Sequence, residues 1–281
     1  MALFFNQATL SFGGTLTNSN VTTGEIINAL TATKTAVSES YSRGDGVAYA
    51  ISIVNSGADD ISDVTISDDL GTFTQGALTL TPLTYIDGTV KYYLNGTLQE
   101  APTVNPGPPL EISGISIPAG GNALIIYEAE ANSFADAAAG STITNTATVS
   151  DGCEASSSAT VPVREETELS ITKFVCPDRV NCNGELSYTF VIQNTGNAEA
   201  VATDDVIITD TFTPVFASVT VTYNGEVWTE GVNYTYDAQT GEFATLPGQI
   251  TVPAATFVRD PVTGAVTVTP GTAVIKVTGN L

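Results

Sequence analysis

Histidine is absent from this 281-residue chain, which also has only 8 Lys+Arg, 3 Cys and one residue each of Met and Trp. Without histidine, neither a Ser-His-Asp triad nor a histidine-ligated metal site can form. The sequence has no Gly-rich phosphate loop and no run of the roughly 20 apolar residues that a membrane helix needs. We therefore expect no enzyme, no cofactor, no metal site and no membrane insertion.

Positive charge is scarce as well, because 30 Asp+Glu against 8 Lys+Arg give a formal net charge of −22. Such a surface repels nucleic acids and anionic membranes, so neither is an expected partner. The acidic stretches GADDISD (57–63) and TDD (203–205) lack the spacing of a calcium loop and are interpreted as solvated loops. The N-terminus also lacks the basic and apolar regions of a secretory signal, which leaves the export route open.

Short segments of alternating apolar and polar residues dominate the chain, and turn residues such as Asn-Ser-Gly and Asn-Thr-Gly separate them. Clear examples are VAYAISIV (47–54), VTISD (64–68), LSYTFVI (186–192) and AVIKV (273–277). No window sustains a helical period. The pattern predicts an all-β chain of sandwich domains.

The sequence contains two copies of one pattern. The same number of residues separates Asn6 from Lys34 as separates Asn145 from Lys173, and YAISIVNSG (49–57) matches YTFVIQNTG (188–196). A period of about 140 residues is too long for a solenoid and indicates two copies of a domain. We expect two tandem immunoglobulin-like sandwiches, at 29–163 and 164–281.

The last strand of the first copy, STITNTATVS, has no match at the end of the second copy. Its match lies instead at the N-terminus, in NQATLS (6–11). We therefore expect residues 1–28 to be a donor strand and linker, whose strand completes the second sandwich. The side chains expected to face that sandwich are Phe4, Asn6, Ala8 and Leu10.

Two routes of donation are compatible with this arrangement. Within one molecule, the linker from Gly13 to Asn28 would reach about 50 Å at ~3.3 Å per residue. Donation to the next subunit is simpler, and a head-to-tail contact of that kind builds a fibre unless it closes into a ring. The partner is then the protein itself, as a homopolymer.

The pattern GDxVxYxIxIVNSG…VTISD…IPAG…ITNTATV resembles the repeat domain found in tandem in large bacterial and archaeal surface proteins, an immunoglobulin-like sandwich of unknown function. The resemblance covers essentially the whole chain. It implies a cell-surface or extracellular protein and says little about biochemistry.

Each copy also places a lysine on its first strand and an aspartate at the end of a central strand. These residues are Lys34 and Asp68 in one copy and Lys173 and Asp210 in the other. Together with Asn145, this set resembles the isopeptide-forming domains of pilins. Burial lowers the pKa of a lysine and raises that of a carboxylic acid, which favours attack of the amine on an amide.

The resemblance implies a Lys34–Asn145 bond within the chain and a Lys173–Asn6 bond between subunits, with Asp68 and Asp210 as catalytic acids. The simpler interpretation is that the lysines are exposed edge charges and that the aspartates form turns. The chain has three cysteines. Cys176 and Cys182 are close enough in sequence to form a disulfide, and Cys153 either pairs with a neighbouring subunit or stays a free thiol.

Two functions are compatible with these features. The first is a self-assembling structural subunit of an extracellular fibre, polymerised by strand donation. The second is a monomeric adhesin or stalk segment that binds a ligand through its loops. The N-terminal duplicate of a domain-completing strand favours the first.

Overall fold

The computed structural model describes residues 2–26, 29–182 and 184–281. In these ranges the chain consists of β-strands and loops, and its helical content is one 3-10 turn at Ala202–Asp204. The all-β class predicted from the alternating pattern is therefore confirmed. No helix in the described ranges is long and apolar enough to span a membrane.

Residues 2–26 form a β-hairpin with four short strands. These are β1 (Ala2–Asn6), β2 (Thr9–Phe12), β3 (Thr15–Asn18) and β4 (Thr22–Ile26). β1 pairs with β4 and β2 pairs with β3, both antiparallel. The turn residues Gly13 and Gly14 have positive φ angles of 59° and 84°, which glycine adopts without strain. The segment expected to be a linker thus contains two strands, β3 and β4.

The chain, including the hairpin, divides into two compact units. Unit 1 comprises the residues up to Ala135 together with Thr142–Val161, and unit 2 comprises Asp136–Ser141 and Pro162–Leu281. The domain boundaries expected from the repeat stay a prediction.

In its described residues, unit 1 contains thirteen strands besides the hairpin. They are β5 (Leu30–Ala36), β6 (Gly46–Asn55), β7 (Ile61–Asp68), β8 (Phe73–Gln75), β9 (Leu78–Leu80), β10 (Leu83–Tyr85), β11 (Lys91–Leu94), β12 (Thr97–Leu98), β13 (Thr103–Asn105), β14 (Leu110–Ile117), β15 (Asn122–Ala131), β16 (Thr142–Ser150) and β17 (Glu154–Pro162).

Two sheets pack against each other in unit 1. The first, called the β6 sheet, has the order β12-β11-β15-β6-β5, and β10 also pairs with β15. The second, called the β7 sheet, has the order β13-β14-β7-β16-β17. Along the long strands, alternate residues face the core, as the period of two requires. On β6, for example, Val47, Tyr49, Ile51 and Ile53 are fully buried.

The part of unit 2 that the structure describes contains ten strands. They are β18 (Leu169–Cys176), β19 (Glu185–Asn194), β20 (Thr209–Thr211), β21 (Val219–Tyr223), β22 (Glu226–Val227), β23 (Tyr234–Tyr236), β24 (Glu242–Thr245), β25 (Thr256–Arg259), β26 (Val266–Thr269) and β27 (Gly271–Asn280).

The two sheets of unit 2 differ in their number of strands. The β19 sheet, with the order β18-β19-β27-β21-β22, corresponds to the β6 sheet of unit 1. The β20 sheet has only the order β20-β24-β23. The strand of unit 2 that corresponds to β7 is β20. In unit 1, β7 pairs with β16, whereas in the described part of unit 2, β20 pairs with β24 alone. One edge of β20 is therefore open.

Candidate functional site

Three residues singled out in the first copy meet inside unit 1. Lys34 lies on β5 of the β6 sheet, Asp68 ends β7, and Asn145 lies on β16 of the β7 sheet. All three are buried, with exposures of 3%, 0% and 0%. Because alternate residues of a strand share one face, the apolar neighbours of each residue point it into the same core.

The hydroxyl of Tyr127, on β15, joins these groups. Lys34 Nζ donates a hydrogen bond to Asp68 Oδ2 and another to the Tyr127 hydroxyl, at 3.0 Å. That hydroxyl donates to Asp68 Oδ2 at 2.6 Å and accepts from Asn145 Nδ2 at 2.9 Å. One oxygen atom therefore contacts the amine, the carboxyl group and the amide nitrogen.

The other side of the Asn145 amide faces the backbone. Its Oδ1 accepts a hydrogen bond from Gly71 N at 3.3 Å. Gly71 has a φ of +72°, and a Cβ there would lie 2.8 Å from Ile143 Cγ2, so only glycine fits this turn. The N–H group is thus placed to polarise the amide carbonyl.

Burial sets the protonation of the cluster. It lowers the pKa of Lys34, and the attraction of Asp68 offsets this only in part. Burial, followed by the negative charge of Asp68, raises the pKa of Tyr127 well above its usual value, and the pKa of Tyr49 rises for the same reasons. The lysine therefore loses its proton more readily than in water, and both tyrosines keep theirs.

The second copy has the same ion pair in a more open setting. Lys173 Nζ, on β18, donates to Asp210 Oδ2, on β20. The side chains of Lys173 and Asp210 are 39% and 18% exposed, whereas those of the first pair are fully buried. The amine lies 4.3 Å from the centre of the Tyr188 ring. In the described part of the chain, no amide side chain contacts Lys173.

The tyrosine of the first site has no counterpart in the second. Tyr127 lies opposite Tyr49 in the β6 sheet, and Val277 lies opposite Tyr188 in the β19 sheet. Because Tyr49 and Tyr188 match in the repeat, Val277 occupies the position of Tyr127. The second site thus lacks the bridging hydroxyl.

The residues expected on the donor strand lie on the hairpin. Asn6 is opposite Thr22 and exposed, and its backbone oxygen accepts a hydrogen bond from Thr22 Oγ1 at 3.2 Å. Phe4 and Leu10 are 54% and 66% exposed, and Ala8 is exposed as well. These side chains are therefore available to another surface.

The cysteines are free thiols, with Cys176 and Cys182 exposed and Cys153 half-buried. A bond between Cys176 and Cys182 stays a prediction. Among the described residues, no group of three Cys, Asp or Glu side chains has the arrangement of a metal site.

Tyr127 is the member of the cluster that the repeat does not predict. An inward tyrosine on an apolar strand has the same pattern as any aromatic core residue. The signal was the mismatch between the copies, in which IIYEAE (125–130) has Tyr127 where IKVTGN (275–280) has Val277.

No protein-family model matches the sequence, and no curated protein matches it. The structure is similar to the pilus backbone protein of Streptococcus pneumoniae, with 12% identity, 86% of this chain and 55% of that chain covered, and a TM-score of 0.35. The major pilin subunit of Bacillus cereus gives 10% identity, coverage of 87% and 64%, and a TM-score of 0.37. Red sea bream transglutaminase is 11% identical over 87% of this chain and 31% of its own, with a TM-score of 0.29.

The chain thus spans about half the length of the pneumococcal pilin. Structural pilins and an enzyme occur together among these similar structures, and similarity at this level does not decide between their functions.

Proposed function

We propose that this protein is a self-assembling structural subunit of an extracellular fibre, which polymerises head to tail and is locked by lysine–asparagine isopeptide bonds. The observation that carries the proposal is the buried Lys34–Asp68–Asn145 cluster together with its open counterpart at Lys173 and Asp210. One site is complete within the chain, and the other has the amine and the acid without the amide.

The reaction at the first site begins with a proton transfer. Lys34 passes one proton along its hydrogen bond to Asp68, which leaves a neutral amine and a neutral acid. Burial supports this step because it disfavours the charged ammonium. The lone pair of Nζ then attacks Cγ of Asn145, whose carbonyl is polarised by the N–H of Gly71.

Bond formation between Nζ and Cγ is followed by cleavage of the bond between Cγ and Nδ2. A second proton from the lysine nitrogen moves through the Tyr127 hydroxyl to Nδ2, which contacts that hydroxyl at 2.9 Å. Nδ2 leaves as ammonia, the first proton stays on Asp68, and the new amide keeps one hydrogen. The packed core holds the groups in place, which is the main source of rate in such a reaction.

The second site would follow the same chemistry once Asn6 of another subunit arrives. Donation buries Phe4 and Leu10, which contributes about 3–6 kcal/mol at roughly 1.5–3 kcal/mol per large side chain. Association itself costs an estimated 4–15 kcal/mol. Because the two terms are of similar size, a covalent Lys173–Asn6 bond would decide whether the fibre is permanent.

Two matched variants test this proposal. Wild-type assemblies boiled in detergent should run on a gel as a ladder of covalent multimers. Besides the ammonia lost at each bond between subunits, each chain should have lost the mass of one ammonia at its internal bond. Asn6→Ala should remove the ladder and keep the internal mass loss. Asn145→Ala should keep the ladder and remove the internal mass loss. A ladder that survives Asn6→Ala, or a wild-type chain of unaltered mass, would contradict the proposal.

A further inference from the structure

In unit 1, the strand that carries Asn145, β16, is one half of a β-hairpin. It continues through a turn into β17, and hydroxyl pairs join the two strands, Thr146 with Ser158 and Thr148 with Ser156, each at 2.9 Å. β17 also reaches the opposite sheet, because Lys34 N donates to Ser157 Oγ at 2.9 Å. A two-stranded hairpin therefore closes unit 1 along both β7 and β5.

The surface that this hairpin covers in unit 1 is exposed in unit 2. Leu30 on β5 is 2% exposed, whereas its counterpart Leu169 on β18 is 38% exposed. Ile171 and Val175, on the same inward side of β18, are 54% and 46% exposed. In the described part of the chain, β18 pairs with β19 alone, as β5 pairs with β6 alone in unit 1. β5 is also contacted by Ser157 of the covering hairpin, and no such contact to β18 occurs among the described residues. β20 and β18 are thus the strands of unit 2 that correspond to the two strands covered in unit 1.

Around Ala8, the N-terminal hairpin pairs its two strands in the register of the β16–β17 hairpin. Asn6 matches Asn145 in the repeat, so Ala8 matches Ala147. Ser19 N donates to Ala8 O at 2.8 Å, and Ala8 N donates to Ser19 Oγ at 3.0 Å. Since the hydroxyl pairs of β16 and β17 place Ser157 opposite Ala147, Ser19 occupies the position of Ser157.

The residues opposite the other inward positions of the two hairpins can be compared in the same way. Leu10 lies opposite Thr17, and Asn6 lies opposite Thr22. In unit 1, the residues opposite the matching positions are Ala155 and Ala159. The inward positions of the returning strand are thus small in both hairpins, which allows it to approach an edge strand closely.

An isolated two-stranded hairpin is marginally stable in water, and large exposed apolar residues indicate an interaction surface. The hairpin exposes such residues on both sides, with Phe5 and Leu16 at 65% and 70%. It therefore combines the matching register with apolar surface to bury.

Resting on the proposed function, we propose that the donated element is this whole hairpin, residues 2–26, and that its receptor is unit 2 of a second copy of the chain. β1 and β2 pair with β20 and bring Asn6 to Lys173. β3 and β4 lie along β18, where the Ser19 hydroxyl accepts the backbone N–H of Lys173, as Ser157 does for Lys34 in unit 1.

The matched variants Ser19→Trp and Asn18→Trp test the returning strand in the full-length chain. The match to Ser157 puts Ser19 at the proposed contact with β18, whereas its neighbour Asn18, whose Oδ1 accepts from Thr9 Oγ1, lies on the other face of the strand. A bulky side chain at a closely packed position costs enough that Ser19→Trp should slow multimer formation about tenfold or more. Asn18→Trp should assemble like the wild type.

Hydrogen exchange on assembled fibres provides a second readout that needs no variant. Backbone amides of β18 and of β3–β4 should gain protection when fibres form. If β1–β2 alone gains protection, or if both tryptophan variants assemble equally well, a single strand is donated and the inference is wrong, although the fibre proposal stands. If the wild type forms no multimers at all, the proposed function itself fails.

Discussion

The two lysine–aspartate pairs occupy the same position in the repeat but have different surroundings. The Lys34–Asp68 pair is fully buried and contacts the Tyr127 hydroxyl, which in turn bonds the Asn145 amide. The Lys173–Asp210 pair is partly exposed and bonds neither group among the described residues. The difference shows that the same lysine–aspartate pair is closed where a hairpin of its own unit covers it and open where none does. In the proposed fibre, the closed pair forms the internal bond and the open pair receives another subunit.

The largest expected difference between the pairs is in stability. In the Asn145→Ala background, which cannot form the internal bond, Asp68→Ala leaves Lys34 buried without a counter-charge, which should lower the free energy of unfolding by about 3–5 kcal/mol. Made alone, Asp68→Ala should also abolish the internal mass change. Asp210→Ala, measured on monomeric protein by chemical denaturation, should lower it by under about 1 kcal/mol, because that pair is partly solvated. Equal losses for the two variants would contradict the contrast between a closed and an open site.

Tyr127→Phe tests the hydroxyl that only the first site has. Removing a group that moves protons should slow the internal bond by about 10²-fold, followed by intact mass during refolding from denaturant. The ladder between subunits should form at its normal rate, because Val277 occupies the equivalent position there. If the internal rate does not change, Asp68 alone carries the protons and the two sites use one mechanism.

The pH dependence of the free energy of unfolding tests the lowered pKa of Lys34. Since the folded pKa of Lys34 lies below its ordinary 10.5, the unfolded chain holds more protons between these values, and stability should rise with pH in that window. The gain is about 1.4 kcal/mol per unit of pKa depression.

The measurement uses Asn145→Ala, which cannot form the internal bond, below pH 9, where roughly a tenth or less of an ordinary tyrosine is ionised. Adding Lys34→Met to this background should flatten the rise, whereas adding Lys173→Met should not. An unchanged slope after removal of Lys34 would assign the pH dependence to other groups.

The smallest expected effect concerns the cysteines. Reducing agent and Cys153→Ser should both leave the ladder unchanged in detergent gels, since the proposed links are amides. A ladder that collapses on reduction would make Cys153 the linking residue.

Much of the first site could be predicted from the sequence, because the period of two along each strand fixes which residues share a face. That rule put Lys34 on the same face as its apolar neighbours, and the repeat matched Asn6 to Asn145. Tyr127 could not be predicted in this way, since its role depends on which strand of the opposite sheet it meets. The returning strand was assigned to a linker because its Ser, Thr and Asn residues, from Thr15 to Thr23, are typical of loops as well as of a strand that leaves one face in water.

The central claim is a covalent bond between subunits at the open site. Fibres assembled from an equal mixture of ¹⁵N-labelled and unlabelled chains, then digested and analysed by mass spectrometry, test it directly. The account predicts a branched peptide that joins Lys173 to Asn6, lighter by one ammonia, with half of its copies carrying one labelled and one unlabelled arm. Branched peptides whose arms always share one label would show closure within a single molecule. The absence of any such peptide from boiled, ladder-forming material would contradict the account.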